Sequence, residues 1–301
     1  MTIEVSIIIA SNNAASGIEK CLGRLLQQID HDRHEIIVAD SSGFGVSALI
    51  KSQYSKVKLI SYEQPASLPD MRGQAISVAT GQIIAIIDPY SVVDDDWLAQ
   101  LQLAHRNQDK KVIGGAVNLH QPDQQSLLAW AQYLNEYGLF MSPVHEGPAQ
   151  ILPGCNISYK RDVLFDEATP RFRSFWKTSA NQSYTASGSS LWLTPGMRVE
   201  LEKPLPFTDF LRTRYIHGRC YAGMRSQDFG PAMRLLRVLS APLLPFVLQY
   251  RWSRRIWSKK QARAKFVMTL PLQLMLFASW SVGELVGYMV GSGNSCRRLF
   301  Y

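Results

Sequence analysis

Two aspartates are notable for the positions they occupy. Asp88 ends the apolar run Ile83-Ile84-Ala85-Ile86-Ile87, and Asp40 ends Glu35-Ile36-Ile37-Val38-Ala39. A carboxylate in the place of Asp88 can hold a hard divalent cation, and that cation can neutralise a diphosphate. Asp40, one strand over, suits hydrogen bonds from a nucleobase or ribose. Neither a Walker loop nor Gly-x-Gly-x-x-Gly follows the first apolar run, which disfavours a nucleoside triphosphatase or a dinucleotide site. Asp94-Asp95-Asp96 read as the cap and first-turn charges of a helix running to about Asn107, in preference to metal ligands.

These side chains need elements to hold them. Val5 to Ala10 is a short β-branched run closed by Ser11-Asn12-Asn13; it follows Glu4 and is too short and wrongly flanked for an export signal. It reads as a buried strand, as do 35–39, 57–61, 82–87 and 112–119. Between them, Ile18, Cys21, Leu22, Leu25, Leu26 and Ile29 mark one helical face, a weaker helix covers about 46–54, and Pro69 opens a helix over about 69–80 that contains Arg72 and stops at Gly81. Strands alternating with helices predict parallel βαβ units and an α/β sheet covered on both faces. Ligands collect outside the carboxyl ends of such strands, where Asn12, Asp40 and Asp88 lie.

Beyond residue 120 the alternation weakens. Residues 126–141 read as an aromatic-rich helix, 157–159 as a short strand, and 166–209 as irregular chain with one short helix. Cys21, Cys155, Cys220 and Cys296 show no paired spacing, so small core thiols in a reducing compartment are expected, without a disulfide scaffold or zinc ribbon. His217 reads as structural or interfacial.

The net charge of +8 is unevenly divided. Residues 210–301 carry fifteen Lys and Arg against Asp228 and Glu284, while 1–209 carry seventeen against twenty-two acids. The basic part contains two apolar stretches, 233–250, broken by Pro242 and Pro245, and 266–291. Between them, Arg251-Trp252-Ser253-Arg254-Arg255-Ile256-Trp257-Ser258-Lys259-Lys260 interleaves cations with tryptophan, as an anionic membrane surface selects. Nucleic acid is the weaker candidate partner, because it leaves the flanking apolar runs unexplained. The expected division is therefore a domain over 1–209 and a helical, membrane-associating region over 210–301, with 233–250 lying in the membrane plane and 266–291 deeper or spanning.

Val5 to Asn13, Glu35 to Gly43, Arg72 through Gly81 into Asp88, and Pro153 to Leu164 together resemble the ordered signatures of family 2 glycosyltransferases with a GT-A fold, a Rossmann-like and mostly parallel sheet with flanking helices. Arg214-Tyr215, Gly218-Arg219 and Trp280 to Gly291 are similar to membrane-associated bacterial members that build cell-envelope or exopolysaccharide glycans. The resemblance implies transfer of a sugar from a nucleotide-diphosphate sugar to a lipid-linked or polysaccharide acceptor, at the cytoplasmic face of a bacterial inner membrane. By position, Ala10 and Ser11 would line the nucleotide with their backbone, Asp40 would contact the base, and Arg72 would approach the base or diphosphate. Asp88 would be the first acid of the DxD motif and a ligand of Mn2+ or Mg2+, and Gly154, Cys155 and Asn156 would shape the acceptor side.

The chain departs from that pattern twice. The DxD motif reads Asp88-Pro89-Tyr90, and where the family places a Glu-Asp pair with its general base, Trp176-Lys177 stands, with no carboxylate from Ser174 to Ser187. Asp166 and Glu167 are the nearest acids but match another part of the pattern. Two expectations follow: an active glycosyltransferase, or a catalytically degenerate relative that serves as a membrane-bound nucleotide-binding or scaffold protein.

Overall fold

The computed structural model describes residues 3–12, 15–107, 109–165, 174–202 and 205–298. Asp166 and Glu167 lie outside the described residues. The chain forms two compact units, Met1–His120 with Phe140–Lys203, and Gln121–Leu139 with Pro204–Tyr301. A single cut at 209/210 therefore misses that residues 121–139 pack with the later helices.

The first unit alternates β1 (Val5–Ser11), α1 (Ala15–Leu26), β2 (His34–Asp40), α2 (Phe44–Gln53), β3 (Lys58–Ser61), α3 (Leu68–Val78), β4 (Ile83–Ile87), β5 (Ser91–Val93), α4 (Trp97–His105) and β6 (Val112–Leu119). After α5 (Leu127–Glu136), which belongs to the other unit, come β7 (Gly147–Ala149), β8 (Asn156–Lys160), α6 (Arg161–Leu164), α7 (Lys177–Ala186) and β9 (Leu191–Leu201). Every residue of β1 and β2 is buried, as expected for strands covered on both faces. Ile8, Ile37, Ile84 and Ile86 pack beneath Met71, Ala75 and Ile76 of α3. Ser67 caps that helix, its hydroxyl accepting from the Asp70 amide at 3.3 Å.

The strands run in the order β3-β2-β1-β4-β8-β6-β9-β5, with β7 on β9. The β3-β2-β1-β4 half is parallel, and β8 lies antiparallel between β4 and β6. Strand β9 is absent from the sequence reading because Thr194-Pro195-Gly196 interrupts its alternation at the irregularity where its pairing with β6 shifts between Gly115 and Ala116. A Cβ on Gly115 would lie 1.9 Å from the Met197 carbonyl oxygen, so this crossing requires glycine. Asp94 and Asp95 carry ion pairs, to Arg198 at 2.6 Å and Arg24 at 2.5 Å. Asp96 precedes α4 at the cap position but makes no side-chain cap bond.

His105, at the end of α4, is buried with its Nε2 2.8 Å from the Ser158 hydroxyl. Burial, and then the Lys160 ammonium, pushes the imidazole down to about 3. The folded state therefore holds it neutral, whereas the unfolded chain takes up a proton below about 6.5. Stability from this group is complete above that pH and is lost as pH falls toward 3, by about 2 kcal/mol at pH 5. Urea unfolding at pH 7 and pH 5 should show a smaller loss in His105→Gln than in the parent; equal losses would contradict the assignment.

The second unit comprises α5, α8 (Phe207–Arg225), α9 (Pro231–Ser240), α10 (Leu244–Ile256), α11 (Arg263–Met268) and α12 (Leu270–Val290). Glycines let α8 and α12 touch backbone to backbone: a Cβ on Gly218 would lie 2.2 Å from the Trp280 carbonyl oxygen, and one on Gly283 2.2 Å from that of Tyr215. Fully buried Gln273 of α12 donates to the Ala131 carbonyl at 2.8 Å and accepts from Asn135 at 3.2 Å, which is why α5 belongs here. Cys220 and Cys296 form a disulfide, correcting the expectation of four separate thiols, while Cys21 and Cys155 are buried outside that disulfide. Trp252 donates to the Leu134 carbonyl at 2.7 Å and packs on Phe277, so it is a packing residue; Trp257 is half exposed.

Candidate active site

Parallel pairing brings the strand ends into register, Ser11 opposite Asp40 and Ile9 opposite Ile87, which places Ser11, Asp40 and Asp88 along one edge of the sheet. The Asp40 carboxylate is 1% exposed and occupied by its own turn. It accepts from the Ser42 amide at 3.1 Å, the Ser47 amide at 3.1 Å and the Ser47 hydroxyl at 2.7 Å. Gly43, at φ 83°, allows the chain to turn into α2 there. Asp40 thus shapes the wall of the crevice, and its carboxylate does not stand open for a base. Ala10 and Ser11 are buried, and the Ser11 carbonyl accepts from the Ser41 amide at 3.0 Å. The Ser11 hydroxyl is buried without a hydrogen-bond partner among the described residues.

Asp88 anchors the centre of the edge. Its Oδ1 lies 3.1 Å from an Arg72 guanidinium nitrogen and 3.7 Å from Lys177 Nζ, which also donates to the Gly154 carbonyl oxygen. Two anchors set Lys177: Phe175, 1% exposed, packs edge-on against Tyr159, and Tyr159 donates to Asn181 of α7 at 2.9 Å. The Phe175 amide also donates to the Pro69 carbonyl of α3 at 2.7 Å, tying the segment that carries Lys177 to the helix that carries Arg72. Arg72 is nine-tenths buried, and its Nε has no hydrogen-bond partner among the described residues. A buried guanidinium N–H left unpaired marks a place where a polar ligand completes the structure.

These residues do not fit a metal ion at Asp88. Two unit charges about 4 Å apart interact by about 4 kcal/mol at an effective dielectric of 20. On that scale the two resident cations together repel a dication about as strongly as the single carboxylate attracts it, so Asp88 alone gives a dication little net attraction. No cluster of three or more His, Cys, Asp or Glu able to hold a metal occurs among the described residues. Tyr90, at the second DxD position, packs against α1, where a Cβ on Gly17 would lie 2.5 Å from Tyr90 Cδ1.

The expected acceptor residues divide. Gly154 faces Lys177, and a Cβ there would lie 3.2 Å from Nζ. Cys155 and Asn156 are fully buried. Asn156 accepts from Trp97 Nε1 at 3.0 Å and donates to the carbonyls of Ala116 at 3.0 Å and Met197 at 2.8 Å, so its side chain joins β8, β6 and β9 and faces no acceptor.

One further group lies on this edge. His120 follows β6, which runs parallel to β4 across β8. Its Nδ1 lies 2.6 Å from Glu200, its Nε2 3.8 Å from Glu202, and Lys20 holds Glu202 at 2.6 Å. The Glu202 amide donates to the Tyr90 carbonyl at 3.2 Å, two residues from Asp88 and within about 7 Å of chain. Nothing in the local sequence of His120 marks it; its partners are Glu200 of β9 and Glu202 just beyond the end of that strand.

The profile described as Glycosyl transferase family 2 matches residues 6–165, more than half of the chain. The chain belongs to glycosyl transferase family 2. Among solved structures, the mannosyltransferase PcManGT from Pyrobaculum calidifontis, in complex with GDP-Man and Mn2+, matches this transferase with TM-score 0.58 at 14% identity, over 96% of this chain and 88% of that one. S. aureus TarS 1–349 in complex with UDP-GlcNAc matches with TM-score 0.51 at 12% identity, over 94% and 90%. At these identities the likeness establishes a shared GT-A fold. No curated protein sequence matches the transferase.

The Asn156 and Asp40 networks yield separate predictions. Asn156→Ala leaves three buried partners unsatisfied and should lower unfolding stability by about 3 kcal/mol. Asp40→Asn, which replaces one acceptor oxygen by a donor facing the Ser47 amide and hydroxyl, should cost about 1–3 kcal/mol. Denaturation of either variant at the parent midpoint would contradict the structural assignment.

Proposed function

We propose that this glycosyltransferase moves a sugar from a nucleoside-diphosphate sugar, bound at the carboxyl edge of β1, β2 and β4, to a lipid-linked or polysaccharide acceptor at an anionic membrane surface. The observation that carries the donor assignment is the paired Arg72 and Lys177 at Asp88, with Arg72 Nε buried and unpaired. Two cations on one carboxylate leave a net positive charge, complementary to a diphosphate. The nucleotides bound by PcManGT and TarS, GDP-Man and UDP-GlcNAc, support the same donor class. Transfer also needs a group that takes the acceptor hydroxyl proton. We assign this to His120, oriented by Glu200, since Ser174 to Ser187 offers no acid.

Two helical stretches, Pro231–Ile256 and Leu270–Val290, are long and apolar enough to cross a membrane by length and composition. The first is almost unburied: Leu235, Leu239, Leu243 and Phe246 are 59–69% exposed, with Arg234 and Arg237 among them and Arg251, Arg254 and Arg255 following. An apolar face bordered by arginines supports an in-plane helix on an anionic leaflet, because arginine is costly at the bilayer centre. Leu270–Val290 packs on α8 and supports a deeper position.

Incubation with UDP- and GDP-sugars and polyprenyl-phosphate-linked glycans should give a glycosylated acceptor, and absence of transfer from every donor would contradict the proposal. His120→Gln should lower kcat by about 10²–10⁴-fold while nucleotide affinity is kept; unchanged turnover would remove His120 from this role. For the membrane, the full chain should float with phosphatidylglycerol vesicles more than with phosphatidylcholine vesicles, and Leu235→Glu with Leu239→Glu should abolish flotation. Flotation of that double variant equal to the parent would overturn the in-plane assignment.

A further inference from the structure

We propose that Lys177, together with Arg72, takes the place of a divalent metal ion at the donor diphosphate, so that donor binding and transfer proceed without metal. The inference rests on the nucleoside-diphosphate-sugar reading and specifies how that site works. Lys177 opens α7 at the point where the family pattern calls for an acid, and its ammonium reaches Asp88 and the Gly154 carbonyl. Its side chain is 14% exposed and that of Asp88 27%, so both reach the surface of the crevice while remaining fixed from below. Gly154 leaves the room that Lys177 occupies, since a Cβ there would lie 3.2 Å from Nζ and 3.3 Å from Cε.

Asp88 accordingly has a changed task. It does not ligate a cation from solution; it holds two resident cations in register, one from α3 and one from α7. Arg72 contributes an unpaired, buried Nε–H that a phosphate oxygen can accept from. Tyr90, packed against α1 at Gly17, removes the second acid that a metal site would need.

In the transfer, the bond from the anomeric carbon to the diphosphate oxygen breaks and its electron pair stays on that oxygen. A bond from the acceptor oxygen to the anomeric carbon forms, and the acceptor proton passes to His120. Lys177 and Arg72 meet the negative charge gathering on the departing nucleoside diphosphate, a preorganised form of electrostatic stabilisation.

Titration of the full chain with UDP and GDP, followed by calorimetry in EDTA and again in Mn2+, tests the inference. The preferred nucleotide should bind in EDTA with an affinity within about twofold of that in Mn2+, Lys177→Ala should weaken it by about tenfold or more, and Lys177→Arg should retain most of it. Lys177→Arg also serves as the folding control, since it preserves the charge on Asp88. Binding that appears only with Mn2+, or that is unaltered in Lys177→Ala, would overturn the proposal while leaving the donor class intact. Absence of binding by either nucleotide, with and without metal, would overturn the donor class and this proposal together.

Discussion

The organisation of the crevice depends on one carboxylate shared by two cations. Asp88 leaves β4 at the middle of the sheet edge, Arg72 approaches from α3 and Lys177 from α7, and the Phe175 amide bonded to the Pro69 carbonyl locks the two approaches together. A half-buried carboxylate of this kind is not a spare ligand, because its charge is already spent on its neighbours. The same arrangement explains why an acid is missing at 174–187: an acid at position 177 would face Asp88 at close range, and like charges there repel. Lysine at that position and tyrosine in the DxD are therefore mutually compatible, and the site is internally consistent as a cationic cradle.

Much of the first unit is legible in the sequence because burial on both faces writes strands as unbroken apolar runs. Val5–Ser11, His34–Asp40 and Ile83–Ile87 lie within a residue of their expected limits, and Asp40 and Asp88 do close them. What those carboxylates do is not legible, because it depends on partners distant in sequence: Ser47 for Asp40, Arg72 and Lys177 for Asp88. Asn156 shows the same limit. Its position before a strand fits a ligand-facing loop, yet three buried partners from Trp97, Ala116 and Met197 consume its amide. Pro195-Gly196 interrupts the alternation of β9, so the sequence pattern does not mark the Glu200 and Glu202 that flank His120.

The second unit illustrates a different reason for partial legibility. Composition exposes its basic and apolar character, but helix-to-helix contact depends on small residues whose role is geometric. Gly218, Gly223, Gly283 and Gly287 carry no hydrophobic signal, yet each lies where a Cβ would strike the backbone of the opposing segment. Gln273, a polar residue inside an apolar run, is satisfied by Ala131 and Asn135 and so recruits α5 from far earlier in the chain. Cys220 and Cys296, 76 residues apart, give no spacing clue to their pairing.

In the proposed mode of donor binding, resident cations, in place of a metal ion, meet the donor diphosphate beside Asp88. A crystal structure of the full chain with a bound nucleoside diphosphate, grown in Mn2+ and recorded at the manganese absorption edge, addresses it most directly. Phosphate oxygens are expected within hydrogen-bonding distance of Lys177 Nζ and the Arg72 guanidinium, with no anomalous peak at Asp88. An anomalous peak coordinated by Asp88 and the diphosphate, with Lys177 displaced, would contradict it.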